Sequence, residues 1–275
     1  MSARTISPAE AGRLLPGLTE IVARASALIL TMTDGTVAHR LKADRTPVTA
    51  VDEASEAEIL QALAKLLPGV PVVAEEMSGR EAAPALGGTF LMVDPLDGTK
   101  EFIAGSDEFT VNVAILSGGI PVAGVVAAPK RGLLWRGATG IGSERLRLTA
   151  GGAADAQPIR TRRWPAQNAV GLTSRSHLDP STQAFLDRLE PLARERCGSA
   201  LKFCLVAEGA ADIYPRLATT CEWDVAAGHA LLMAAGGNVT TPDGAAIPYG
   251  RVAENFRVPA FIAWGDPDKA KAVLH

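Results

Sequence analysis

An α/β fold, with a mixed α+β first half, is predicted by three features of the sequence. Two apolar stripes at helical spacing open the chain, a period-two alternation marks a sheet after Gly88, and strand and helix signals alternate in the second half. The first stripe, Gly17 to Leu30, puts Leu18, Ile21, Val22, Ala25, Leu28 and Ile29 on one face, with Pro16 near its start. The second, Glu53 to Leu67, runs through Ile59, Leu60, Leu63, Leu66 and Leu67 until Pro68-Gly69 ends it. Short strands are predicted at Val70 to Ala74 and Thr89 to Val93. Phe109, Val111, Val113 and Ile115 alternate with Thr110, Asn112 and Ala114, which predicts a sheet with two different faces. Pro121 to Ala127 and Leu133 to Arg136 extend that sheet.

Ala150 to Pro158, rich in Gly and Ala, reads as an exposed hairpin tip or a domain junction. The chain accordingly divides into an N-terminal part over 1–150 and a C-terminal part over 151–275. In the latter a strand at Ala169 to Thr173 precedes helices at Ser181 to Leu192, Ala200 to Glu208 and Val225 to Ala235. Strands near Ala211 to Tyr214 and Ala260 to Trp264 complete the pattern. Gly140-Ile141-Gly142 lacks the rest of a dinucleotide fingerprint and reads as a turn.

Composition narrows the function classes. The 275 residues suffice for one large or two small domains, and 47% apolar with 21% charged residues is ordinary for a globular protein. Net charge is -3, and the 27 basic and 30 acidic residues are scattered, so no basic stripe points to a nucleic-acid polymer or an anionic membrane. The apolar stretches Ile21 to Leu30 and Ala226 to Ala235 are interrupted by Arg24 and His229, which argues against a membrane span. The first residues lack the succession of a secretory signal. Cys197, Cys204 and Cys221 have no metal-type spacing and read as reduced thiols of a cytoplasmic protein.

Acidic residues stand where a chain normally avoids charge. Glu75 and Glu76 follow the apolar strand Val70 to Ala74; Asp94 ends Phe90-Leu91-Met92-Val93; Asp97 comes three residues later, after a proline expected to stop the strand; Asp224 opens an apolar helix. Strand ends and a helix N-terminus can converge on one cleft, where a shared hard cation would relieve the repulsion. Oxygen-only donors favour Mg²⁺ or Mn²⁺ over zinc. Pro95 turns the chain so that both carboxylates and the Leu96 carbonyl point to one side. Gly98 then lets backbone N–H groups approach an anion, and Thr99 adds a hydroxyl. Each position also has a plainer reading: Asp-Gly as a turn, Asp224 and Asp52 as helix caps, Glu76 as a solvated strand end.

Together these residues resemble the lithium-sensitive, magnesium-dependent phosphatases of the inositol monophosphatase superfamily. The elements that carry the resemblance are Ala74-Glu75-Glu76, Asp94-Pro95-Leu96-Asp97-Gly98-Thr99, and Trp223-Asp224-Val225-Ala226-Ala227-Gly228. Finer features are similar to its 3'(2'),5'-bisphosphate nucleotidase branch of the bacterial CysQ type. These are Lys100-Glu101-Phe102 after the Gly-Thr, the upstream run Lys42 to Thr49 with Asp52, Ser174-Arg175-Ser176-His177, and Leu201 to Gly209 followed by Tyr214-Pro215-Arg216. The resemblance runs from about Lys42 to Gly237.

The resemblance implies a layered αβαβα sandwich of the inositol monophosphatase and sugar phosphatase type. It implies two or three Mg²⁺ ions, with Mn²⁺ as an alternative, on Glu75, Asp94, the Leu96 carbonyl, Asp97 and Asp224. Asp52 would pair with Thr99 to position or deprotonate a water, with Glu75 assisting. Gly98 and Thr99 would donate to the scissile phosphate, and Ser174, His177, Gly198 and Lys202, together with Asp224, would contact the substrate. Ala200 departs from the branch, which often has Ser there. The expected reaction converts adenosine 3',5'-bisphosphate to AMP and phosphate, with its sulfated form and the 2' isomer unranked. An inositol or sugar phosphatase is the alternative on the same scaffold, and a non-catalytic metal or nucleotide sensor a remote one. The expected partner is a small bisphosphate nucleotide; a homodimer and peripheral association with the inner membrane stay open.

Overall fold

The computed structural model describes residues 5–33, 39–41, 47–78, 86–176 and 179–274. The first helix, α1 (Pro8–Thr31), starts earlier than its apolar stripe, because Ser7 caps it and Pro8 sits at its first position. Pro16 therefore lies inside α1, where it forgoes the bond to the Gly12 carbonyl. α1 is long and apolar enough to cross a bilayer, as the core helix of a globular protein can also be. Its buried side, including Leu15, Leu18, Val22, Ala25 and Ile29, belongs to the protein core.

Strands β1 (His39–Leu41) and β2 (Pro47–Thr49) pair antiparallel and lead into α2 (Ala50–Leu66). A sheet of seven strands follows: β3 (Val72–Ala74), β4 (Thr89–Asp97), β5 (Thr110–Ser117), β6 (Ile120–Ala128), β7 (Leu133–Ala138), β8 (Gly142–Thr149) and β9 (Gly152–Ile159), hydrogen-bonded in that order. Only β3 and β4 run parallel among these neighbours. The short α3 (Thr99–Ile103) leaves the end of β4. Gly140 to Gly142 is the turn into β8, as read. The Gly- and Ala-rich stretch is partly the tip of the β8–β9 hairpin and mostly β9 itself.

The second half supplies β10 (Ala169–Ser174), α4 (Pro180–Asp187), β11 (Leu192–Cys197), α5 (Leu201–Ala207), β12 (Ile213–Arg216), β13 (Thr220–Cys221) and α6 (Glu222–Ala234). It ends with β14 (Asn238–Thr240), β15 (Arg257–Val258), β16 (Phe261–Trp264) and α7 (Pro267–Leu274). Its main sheet has five strands in the order β11-β10-β12-β16-β14, and β13 and β15 form a separate ribbon. The expected helix Ser181 to Leu192 is in fact α4 followed by β11, since Pro191 cannot continue a helix and Leu192 pairs with Ala169.

Core composition fixes the layering. α1 and α2 pack on the Leu91, Val93, Val111, Val113 and Ile115 face of the first sheet. α5 and α6 fill the space between its other face, with Phe90, Met92, Ala114, Leu116 and Val126, and the Tyr214, Phe261 and Ala263 face of the second sheet. Phe185 and Leu186 of α4 and Ala270 of α7 cover the outer face through Ile213, Ile262 and Trp264. This is the αβαβα sandwich. It also explains why the two faces of β5 are both buried although one carries Thr110 and Asn112.

α6 lies against the first sheet backbone to backbone. A Cβ built on Gly124 of β6 would stand 2.2 Å from the carbonyl oxygen of Ala227. No rotamer change relieves such a contact, so Gly124→Ala is expected to destabilise the protein by about 1–3 kcal/mol, read as a lowered midpoint in urea unfolding.

Candidate active site

The end of β4 delivers two carboxylates to one edge of the sandwich. Asp94 pairs with Asn112 and Asp97 with Thr110, so three steps on β4 face two on β5, a bulge that keeps Pro95 within the strand instead of ending it. Ser55 of α2 donates its hydroxyl to the Pro95 carbonyl at 3.0 Å, and the Leu96 N–H donates to Asp94 Oδ1 at 3.1 Å. The Leu96 side chain is buried among the α1–α2 core residues, while its carbonyl accepts from Thr99 Oγ1 at 3.3 Å. Gly98 turns the chain at φ 91°, and a Cβ there would meet Ser199 Oγ at 2.2 Å.

α2 contributes the next group. Thr49, rather than Asp52, is its cap: the Thr49 hydroxyl accepts from the Val51 and Asp52 N–H groups, and Asp52 Oδ2 accepts from the Thr49 N–H at 2.8 Å and its hydroxyl at 2.5 Å. This capping box leaves Asp52 Oδ1 to accept from Thr99 Oγ1 at 3.0 Å. Burial pushes the Asp52 carboxyl above its ordinary pKa, against the pull of the Thr49 and Thr99 bonds. The single Thr99 hydroxyl proton thus has two acceptors within reach, Asp52 as the nearer and the Leu96 carbonyl.

Four carboxylates converge from three elements. Glu75 follows β3, with its N–H on the Val93 carbonyl. Asp224 is the third residue of α6 and accepts from the Cys221 N–H at 3.1 Å and from the Thr220 hydroxyl. Asp94 is raised well above the usual carboxylate range by burial first, then by the charges of Glu75, Asp97 and Asp224. Asp97 is pushed up to about 7 by burial and Asp224, although Lys202, the Ala200 N–H and Arg216 pull the other way.

Among the described residues no three acidic, His or Cys side chains are gathered tightly enough to hold one ion as they stand. The donor set nevertheless fits a hard divalent cation: it is anionic and all-oxygen, Asp94 is buried and the other three are half-buried, and burial with the neighbouring charges drives Asp94 and Asp97 towards protonation. Asn112, cross-strand from Asp94 and buried, adds an amide whose oxygen and nitrogen have no hydrogen-bond partner among the described residues. Such a group calls for water or a ligand on that face.

The opposite wall is the turn between β11 and α5. The Ala200 N–H donates to Asp97 Oδ2 at 2.6 Å, a backbone contact indifferent to Ala standing where the nucleotidase branch has Ser. Ser199 donates to the carbonyls of Asp97 and Glu108, both at 2.8 Å, and Gly198 donates its N–H to Glu108 Oε2 at 2.8 Å. Lys202 is buried, with Nζ on the carbonyls of Cys197 at 3.0 Å and Ser199 at 2.7 Å, and 4.9 Å from the Tyr214 ring centre. Ser174 ends β10 and is partly buried. His177 and Lys42 to Thr46 lie outside the described residues.

The structure thus brings together Asp52, Glu75, Asp94, Leu96, Asp97, Gly98, Thr99 and Asp224, with Gly198 and Lys202 bordering them. Thr49, Asn112, Glu108, Ser199 and Arg216 were missed. Thr49 was findable as the first member of a Thr-x-x-Asp box; the others carry no local signal.

The raised carboxylates set a pH dependence. A folded state that keeps a proton on Asp97 up to about pH 7, where the unfolded chain releases it near pH 4, loses stability as pH rises between those values. Metal-free protein is therefore expected to melt lower at pH 8 than at about pH 5, and added Mg²⁺ to raise the melting temperature at pH 8 far more than at pH 5. Calorimetric scans at both values check this.

Comparison with known proteins agrees with the geometry. The inositol monophosphatase family model matches residues 13–264. The 3'(2'),5'-bisphosphate nucleotidase CysQ of Escherichia coli (strain K12) is 38% identical over 250 residues, covering 90% of this chain and 98% of that protein. The histidinol-phosphatase of Mycobacterium tuberculosis is 34% identical over 219 residues, covering 76% of this chain and 79% of that one. Among solved structures, CysQ from Bacteroides thetaiotaomicron superposes with a TM-score of 0.74 at 30% identity over 92% of this chain and 97% of its own. Inositol monophosphatase from Anabaena gives 0.74 at 26% identity over 96% and 95%. By fold, by site geometry and by match over nearly its whole length, the chain belongs to the inositol monophosphatase family.

Proposed function

We propose that the protein hydrolyses the 3'-phosphate of adenosine 3',5'-bisphosphate, giving AMP and phosphate, with Mg²⁺ as its metal. The buried carboxylates beside the Asp52–Thr99 hydrogen bond carry the reading as a phosphomonoester hydrolase. The nucleotidase relatives, 38% identical across 98% of their length, carry the choice of substrate. Two or three ions held by Glu75, Asp94, the Leu96 carbonyl, Asp97 and Asp224 would supply Lewis acidity for the phosphoryl oxygens and lower the pKa of water.

The chain's own residues orient and move protons. Thr99, with its proton turned to Asp52 as the nearer of its two acceptors, offers oxygen lone pairs to the attacking water. Asp52, with Glu75 assisting, is the buried base at the end of that relay. Water oxygen bonds to phosphorus as the bond to the 3'-oxygen breaks; one water proton passes through Thr99 to Asp52, and a proton from a second, solvent water converts the leaving 3'-oxygen to the free hydroxyl. The Gly98 and Thr99 N–H groups face the transferred phosphate. Ser174, Gly198 and Lys202 border the nucleotide side, where Lys202 acts through the turn it holds as well as by charge; His177 is assigned to the substrate by its place in the motif alone. Three thiols without disulfides suit a reducing compartment, the cytoplasm.

An inositol or sugar phosphatase on the same scaffold is the second reading, favoured by the histidinol-phosphatase relative at 34% identity, which indicates that substrate choice diverges within this range. A phosphate-release panel over bisphosphate nucleotides, inositol 1-phosphate and histidinol phosphate, with and without Mg²⁺, decides between them. Release from inositol 1-phosphate or histidinol phosphate but not from the nucleotide sinks the first reading. Asp94→Asn is expected to lower turnover about 100-fold or more while circular dichroism stays unchanged. Because it removes a repelled charge, it should also raise the metal-free melting temperature at pH 8.

A further inference from the structure

One buried carboxylate next to the site is not a member of the cluster. Glu108 lies just before β5, two residues from Thr110, and is 7% exposed. Its Oε2 accepts from Arg175 Nε at 2.6 Å and from the Gly198 N–H at 2.8 Å; its Oε1 accepts from Arg175 Nη2 at 2.8 Å and Arg131 Nη2 at 3.4 Å. Its backbone carbonyl accepts from Ser199. Arg175 reaches on to the Arg196 carbonyl at 3.0 Å, spanning the ends of β10 and β11.

The turn that Glu108 grips is the one that holds Asp97. Ser199 and Ala200 bond the Asp97 carbonyl and Oδ2, so a continuous path runs from Arg175 through Glu108 and the Gly198–Ala200 backbone to that carboxylate. Ser199 sits at φ 52°, a left-handed conformation that a serine keeps only where its surroundings impose it. Lys202 supports the turn from inside, and Glu108 is its hold on the first sheet. Arg175, a cation beside the phosphate side of the site, has both Nε and Nη2 committed to Glu108.

We infer that Glu108, clamped by Arg175, is a positioning residue for Asp97 and through it sets the protein's affinity for its divalent cation. This rests on the reading of Asp97 as a metal ligand. Arg175 is then part of the frame and not a primary contact of the substrate phosphate.

Mg²⁺ titration of the metal-free protein by calorimetry tests this, on wild type, Glu108→Gln, Arg175→Ala, the double variant and Arg162→Ala. The last breaks the Arg162–Asp212 pair, bonded at 2.8 and 2.7 Å in the second sheet away from the turn, and controls for general destabilisation. Glu108→Gln and Arg175→Ala are expected to weaken Mg²⁺ binding about 10-fold or more. The double variant should be no worse than the stronger single, because both act on one path. KM for the nucleotide should return to the wild-type value at saturating Mg²⁺. Arg162→Ala should lower the melting temperature and leave Mg²⁺ affinity unchanged.

Unaltered Mg²⁺ affinity in variants that merely melt lower makes Glu108 structural and overturns the inference. So does a raised KM at saturating Mg²⁺ in Arg175→Ala, which would make Arg175 a substrate ligand. Arg175, half exposed, carries the test should Glu108→Gln not fold. A wild type that binds no Mg²⁺ defeats the metal-site reading itself, a result distinct from the other two.

Discussion

Like charges held together in a dry place organise this protein. Asp94 has 1% exposure within β4, a strand buried as far as Leu96, and the charges of Glu75, Asp97 and Asp224 all act against its ionisation. Free side chains would separate or take up protons. Here each sits on an element that cannot withdraw: Glu75 after a strand paired to β4, the two aspartates across a bulge in β4, Asp224 inside a capping box at the head of α6. Much of the surrounding architecture serves to keep those four backbones still, and the polar atoms of Asn112 and the Asp52–Thr99 bond are arranged around the same point.

The site is a product of layering. Every proposed metal ligand belongs to the first sheet or to the helix layer beneath it, whereas the Gly198–Ala200 turn and Ser174 come from the edge of the second sheet. On the proposed function, chemistry and substrate choice rest on different layers, joined through Asp97, Ser199 and Glu108. Such an arrangement lets relatives that act on a nucleotide and on histidinol phosphate share a scaffold, since the turn and its neighbours can change while the carboxylate frame stays.

How much of this was legible in the sequence follows from where the signals are local. The α1 and α2 stripes, the alternation of β5, and the motif carboxylates all act within a few residues, so they could be read, and the resemblance to the inositol monophosphatase superfamily gave the layering. The β4 bulge was not legible, because Pro95 ordinarily ends a strand and only pairing with β5 shows that this one continues. The helix read across Ser181 to Leu192 held only as far as Asp187, because the pairing of Leu192 with Ala169 of β10 selects a strand for β11. The role of Glu108 depends on contacts about 70 to 90 residues apart, beyond any local pattern.

The absent side chain at Gly124 bears on the width of the cleft. With the Ala227 carbonyl seated where a methyl would otherwise be, α6 meets β6 at Gly124 with no side chain between them. Asp224, one turn earlier on that helix, is thus carried at a spacing from the first sheet set by main-chain contact. On the proposed function, the separation of Asp94 from Asp224 is then governed in part by main-chain contact and not by side-chain packing alone.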